Sequence, residues 1–305
     1  MIIHTTGNFI EISTDKKFVG KSENNVSHVE QKIMIDENIR QLQKKEMDIL
    51  NAFISVCEKN KLKYYAVGGT LLGAVRHKGF IPWDDDMDVA MPRKDYEKFL
   101  HIFYKDLPEN IKVLHYTNGE NVYFYPMKLQ NMDVKVTEQR LEETDSISYL
   151  SIDVFPIDGY PNERSKQALY KLKYYYYKML IGFCNVNILR KNVDRPFYER
   201  VIIKFAKLFR LNRILKLKKQ QDKFDKLLKS TMGEECKLVG DISGAYGFRE
   251  FVPVSYFGKG TKLDFEDIKI NCPCKYDKYL KRIYGDYMQL PPEDKRVAGH
   301  LKIVE

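Results

Sequence analysis

Apolar positions recur at helical spacing between Val29 and Lys61, where Ile39, Leu42, Met47, Leu50, Phe53 and Ile54 line one stripe. The pattern predicts one long helix packed behind a sheet, with Glu37 as a candidate break. Ala66 and Val67 then form a short apolar strand into Gly68-Gly69-Thr70. A two-turn helix should follow at Leu71–His77, with Leu71, Leu72 and Val75 inward and Thr70 as N-cap. Strict alternation over Asp86-Met87-Asp88-Val89 predicts a strand with both carboxylates on one face. Pro92 opens a helix to about Lys105, buried through Tyr96, Phe99, Leu100 and Phe103. Short strands are expected at Lys112–His115, Val122–Tyr125, Met127–Leu129 and Val134–Thr137, and a longer one at Tyr149–Tyr160.

Beyond that strand the period changes. Residues 163 to 230 read as helical almost throughout, and the final third returns to strands at Lys237–Asp241, Phe251–Phe257 and Phe265–Cys272, with a helix at Tyr276–Tyr284. The expectation is an α+β fold: a sheet core flanked by helices, with a helical insertion. Its parts would be an N-terminal arm (1–27), the core (28–162), a basic aromatic helical insertion (163–235) and a C-terminal part completing the core (236–305).

Composition narrows the class. With 305 residues, 44% hydrophobic and 30% charged, the chain can build a sizeable core and is not a disordered composition. The net charge of +9 is concentrated: Arg190 to Lys229 holds fourteen Lys and Arg against four acids. One basic segment points to a surface interaction, and no nucleic-acid partner is expected. Its apolar stripe (Val201, Ile202, Phe205, Leu208, Phe209, Leu211, Ile214, Leu215 and Leu217) leaves two readings open: a core-facing helix with a solvated basic back, or a helix lying on an anionic bilayer. Five cysteines without framework spacing suggest reduced thiols in a cytoplasm, and Cys272-Pro273-Cys274 alone does not make a zinc site. No secretory signal and no membrane-spanning run is apparent, so a cytoplasmic location is expected, with peripheral membrane contact under the second reading.

The chemistry concentrates in Tyr65–Pro92. Glycines at 68 and 69 let the backbone turn sharply and approach a ligand, and a helix N-terminus behind them suits a phosphate. Asp86 and Asp88 repel one another unless a proton or a cation lies between them, and oxygen ligands favour Mg²⁺ or Mn²⁺. Asp153 stands on the polar side of an otherwise apolar strand, costly unless it binds something. Asp158, before Gly159, is explained by turn chemistry. Lys128 alternates with apolar neighbours and is suited to a phosphate. Arg76, His77 and Lys78 could clamp a diphosphate, and Trp83 could stack on a base or simply pack. Lys295, Arg296 and His300 are the reactive candidates near the C-terminus.

These blocks, GGT with LLGAVRHKGFIPW and DDDMD, then SIDVFPIDGY, then YGDYMQLPPEDKRVAGH, together resemble the LicD family. That family comprises relatives of fukutin within the polymerase-β-like nucleotidyltransferase superfamily. The similarity runs from about Ile39 to His300 and is weak in the helical insertion. It implies a nucleotidyltransferase-type mixed sheet and a metal site of Asp86, Asp88 and Asp153 holding Mg²⁺ or Mn²⁺. His300 would join those three as a catalytic group. Substrate would be bound by Gly68, Gly69, Thr70, Arg76, His77, Trp83, Lys128 and Lys295. The implied reaction moves phosphocholine, or a related phospho-alcohol, from a CDP-activated donor to a sugar hydroxyl. The acceptor would be a cell-surface glycan such as a teichoic acid or capsule, still lipid-linked on the cytoplasmic side. Two departures stand out: Val134 occupies a position where the family commonly has threonine, and the N-terminal arm has no counterpart. Transfer of NMP from an NTP, or a non-catalytic binding relative, are the alternatives.

Overall fold

The apolar stripe at the start of the chain does become a helix, α1, His28–Lys59, continuous through Glu37. The structure, a computed structural model, describes residues 28–119, 122, 125–138, 147–186, 196–244, 246–296 and 301–304. The expected N-terminal arm and His300 lie outside the described residues. The described chain divides into two compact units. One comprises 28–113, 127–156 and 254–304; the other comprises 114–126 and 157–253, less the residues not described.

In the first unit α1 buries Leu42, Ile49, Leu50 and Phe53, and the Phe53 ring meets Phe99 at 5.2 Å and Tyr64 at 5.4 Å between centroids. Each such side chain contributes about 1.5–3 kcal/mol by leaving water. After α1 come β1 (Tyr65–Ala66), α2 (Gly68–Arg76), β2 (Asp88–Pro92) and α3 (Arg93–His101). β3 is Ile111–Leu114, and the two strands expected over 127–137 are one, β4, Met127–Glu138. A register shift between Asn131 and Lys135 absorbs the polar interruption that looked like a break. β5 is Ile147–Tyr160, and its burial alternates through residue 156 as Leu150, Ile152 and Val154 go inward.

Near the C-terminus the single strand expected over 265–272 is the second half of a hairpin, β8 (Thr261–Phe265) and β9 (Ile268–Cys272); β6 (Leu238–Gly240) and β7 (Val252–Pro253) belong to the second unit. Glu266 takes φ 52, a left-handed turn position that an Asn-Gly pair would have announced and Glu-Asp does not. A last helix, Tyr276–Tyr284, and a last strand, β10 (Leu301–Val304), complete this unit. The sheet runs β1-β2-β5-β4-β10 with β3 also on β4. This is an α+β fold of the nucleotidyltransferase type, a sheet flanked by helices.

The second unit is mostly helical: α4 (Arg164–Cys184), α5 (Phe197–Leu208), α6 (Leu211–Ile214) and α7 (Leu217–Leu228). Its core joins Tyr170, Tyr174 and Ile181 of α4 to Phe224, Leu227 and Leu228 of α7. Tyr116, Val122 and Tyr125 pack there too. Val122 and Tyr125 were expected in a strand. Neither is in one; the Val122 carbonyl instead accepts a hydrogen bond from Gln221 at 2.7 Å. The end of β5 pairs with β6 (Leu238–Gly240), which pairs with β7 (Val252–Pro253), far shorter than the strand expected over 251–257. Asp158 therefore sits in a ladder opposite Gly240, not in a turn. All five cysteines are unbridged.

Candidate active site

The acidic loop closes on the start of α2. That helix begins three residues earlier than its apolar pattern suggests, at Gly68, with Val67 as N-cap and no side chain capping it. Thr70 is buried within the first turn, where its hydroxyl accepts the Asp88 N–H at 2.8 Å instead of capping the helix. The two glycines leave room for the carboxylates that lie against them. A Cβ at Gly68 would stand 2.5 Å from Asp88 Oδ2, and one at Gly69 would stand 2.5 Å from Asp84 Oδ2 and 4.0 Å from Asp86 Oδ1. Gly68 also has φ +53, which disfavours any side chain. Three carboxylates thus converge on one helix end.

Strand β2 starts only at Asp88, so Asp86 belongs to the preceding loop, yet the alternation persists: Met87 and Val89 are buried, Asp88 is half-buried and Asp86 reaches solvent. The Asp84 and Asp86 carboxyls are within hydrogen-bond reach of each other. Enclosure by protein, then the charge on Asp86, holds the Asp84 carboxyl well above its ordinary range. Asp86 is raised too, chiefly by the protein gathered around its carboxyl, although the residue as a whole is exposed. Asp85 is used differently: buried, it accepts the Leu301 N–H at 2.8 Å.

Asp153 arrives from β5, whose backbone N–H at that residue donates to the Met87 carbonyl at 2.9 Å. Its register partner on β4 is Lys128, and Lys128 Nζ lies 2.5 Å from Asp153 Oδ1. Burial would lower the lysine pKa, but Asp153, with Asp88 and Asp86 behind it, raises it overall. A second group gathers at the far end of α2. Arg76 Nε donates to His77 Nε2 at 2.9 Å and its Nη1 to the Tyr287 carbonyl at 2.9 Å. His77 meets the Trp83 ring edge-on at 6.2 Å, and the Arg296 guanidinium lies 5.6 Å from the Trp83 ring centroid. Partial burial and then Arg76 lower the His77 pKa, favouring the neutral ring. Lys295 is exposed on a 3₁₀ turn, and it is its neighbour Arg296 that reaches Trp83.

Two residues escaped the sequence. Asp84 looked like one more acid of an Asp-Asp-Asp run, and only its contact with Gly69 separates it from Asp85. Glu46 sits inside the buried stripe of α1 with 0% exposure, and neither carboxylate oxygen has a hydrogen-bond partner among the described residues. Burial, then Asp86, Asp85, Asp88 and Asp153, push its pKa well up. The available signal was an acid at a helical a/d position among Leu42, Ile49 and Leu50.

Donor chemistry decides what could be held. Oxygen-only ligands suit a hard divalent cation such as Mg²⁺ or Mn²⁺. Two carboxyls in mutual reach need a proton or a cation between them, and Asp84 and Asp86 meet that condition with Asp88 alongside. Asp153 is engaged by Lys128, and among the described residues no group of three or more His, Cys, Asp and Glu is already disposed as a metal cage. The donors fit such a cation in kind.

Fold and site together define a nucleotidyltransferase-type α+β protein with a carboxylate cluster on a glycine-opened helix. Residues 61–180 match the LicD/FKTN/FKRP nucleotidyltransferase domain. The chain is 31% identical over 266 residues to the lipopolysaccharide cholinephosphotransferase LicD of Haemophilus influenzae, covering 84% of this chain and 93% of that protein. An uncharacterized protein of Rickettsia typhi is 34% identical over 118 residues, 38% of this chain and 34% of its own. The chain belongs to the LicD family.

Proposed function

We propose that this protein transfers phosphocholine, or a closely related phospho-alcohol, from a CDP-activated donor to a sugar hydroxyl of a lipopolysaccharide or another cell-surface glycan, the acceptor being lipid-linked. The observation that carries the proposal is the convergence of Asp84, Asp86 and Asp88 on the uncapped N-terminus of α2. The likeness to a cholinephosphotransferase supplies the group transferred.

In this reading the first-turn N–H groups of Gly68, Gly69 and Thr70 receive donor phosphate oxygens, assisted by the positive end of the helix. Asp84, Asp86 and Asp88 would hold Mg²⁺ or Mn²⁺, with Asp153 nearby. A divalent cation bound there supplies charge neutralisation of the diphosphate and acidifies the attacking hydroxyl. Lys128 fixes Asp153 and keeps a positive charge beside the cluster. Arg76 and Arg296, brought together around His77 and Trp83, offer fixed cations for the departing CMP. His77, with its Nε2 accepting from Arg76, orients that guanidinium.

The test is CMP release from CDP-choline, CDP-glycerol and CDP-ribitol, with lipid-linked glycan as acceptor, in Mg²⁺ and in chelator. Metal-dependent CMP release from one donor is expected. Pyrophosphate release from an NTP with no CMP from any CDP-alcohol would replace the reading with nucleotidyl transfer.

A further inference from the structure

We propose that the solvent-facing side of α5 docks the protein on an anionic bilayer surface. The helix has three distinct sides. At 3.6 residues per turn, Phe197, Val201, Phe205 and Leu208 fall together on one side. All four are exposed, Phe197 at 79% and Leu208 at 77%. The opposite side faces protein: Ala206 is 0% exposed, and Ile203 and Glu199 are half-buried. Arg200, Lys204 and Lys207 line the remaining edge, all exposed. Over α5 the core-facing reading therefore fails and the apolar side is presented to solvent, whereas α7 bears that reading out through buried Phe224, Leu227 and Leu228.

Charge selects the occupant. The basic edge runs alongside the apolar side, and Arg210 and Arg213 continue it, both exposed. The helix's one acid, Glu199, is on the protein-facing side. A second copy seated here would bring the two basic edges, each with Lys204, Lys207, Arg210 and Arg213, against one another. Anionic headgroups answer them, while acyl chains take Phe197, Phe205 and Leu208; this is how an interfacial amphipathic helix binds. Among the described residues no helix is long and apolar enough to cross a membrane, so contact through this face would be peripheral.

This inference is independent of the phosphotransferase reading, and CMP release with vesicle binding measured on one preparation separates the two. Full-length protein would be floated with vesicles of phosphatidylcholine alone and of phosphatidylcholine with equal phosphatidylglycerol, at low and high salt. Binding to the anionic vesicles alone, weakened by salt, is expected. Lys204→Glu with Lys207→Glu should weaken it roughly thirtyfold or more, and Phe205→Asp with Leu208→Asp by about tenfold or more. Circular dichroism should be unchanged, because all four side chains are exposed. Absence of binding to anionic vesicles overturns the proposal, as does binding that neither pair of substitutions weakens. A dimer in light scattering that Leu208→Asp dissociates, without vesicle binding, assigns the face to a second copy and overturns it equally.

Discussion

Both units bury charge, but they differ in what they expose. The sheet unit holds Glu46 fully buried and Asp85 nearly so, with Lys128 and Asp153 paired beside the acidic loop, and the helical unit buries Asp158 and Asp225. The helical unit turns apolar surface outward, on α5 and also at Leu172 and Tyr176 of α4, while α7 buries Phe224 and Leu228. Helices α5 and α7 sharpen the contrast, since both have twelve residues and an apolar stripe beside lysines. One stripe is core and the other is surface. Periodicity reveals that a helix has an apolar face; it does not reveal what covers that face.

The comparison can be broken where its effects are largest. Phe224→Ala should cost about 3–5 kcal/mol, because the ring is 2% exposed and packs on Tyr125 at 5.3 Å and Tyr174 at 5.6 Å. Urea denaturation reads this directly, and a loss as small as that of an exposed residue would mean the helical unit has no such core. Asp86→Asn and Asp88→Asn should each lower turnover on the order of 10²–10³-fold with unfolding midpoint and vesicle binding retained. Near-normal CMP release in either would remove the acidic loop from the chemistry. Glu46→Met should raise stability by about 1–3 kcal/mol, since it removes a buried carboxyl with no hydrogen-bond partner among the described residues, at similar volume. A lowered denaturation midpoint would show that Glu46 has a binding partner in solution.

The smallest expected effect is a pH slope in the helical unit. Burial pushes Asp241 up to about 6, against hydrogen bonds from Ser243 and Gly244 that act the other way. The folded state then binds the proton more tightly than the unfolded chain. This group's contribution to stability is therefore fullest below pH ~4 and is lost as pH rises from there through about 6. Asp241→Asn should flatten that window in thermal melts, and an unchanged slope would exclude Asp241 as its source.

Much of the sheet unit was legible because its elements carry both a period and a chemical reason. The Asp86–Val89 alternation, the α3 start at Pro92 and the Asp153 face of β5 follow from side chains that must alternate or pack. What escaped were features set by backbone geometry and distant partners. The register shift within β4, the φ 52 turn at Glu266 and the early start of α2 have no turn residue or cap to announce them. In the acidic run, Asp84 and Asp85 are neighbours of one kind in sequence. One contacts Gly69 and the other binds the Leu301 N–H, 216 positions away.

That last contact has a practical side. Leu301 opens the edge strand β10, and Asp85 anchors it to the loop that carries Asp84 and Asp86. A chain truncated before Leu301 would retain every aspartate of the cluster and still strip a partner from a buried carboxylate in that loop. Affinity tags placed at the other end of the chain would leave this latch intact.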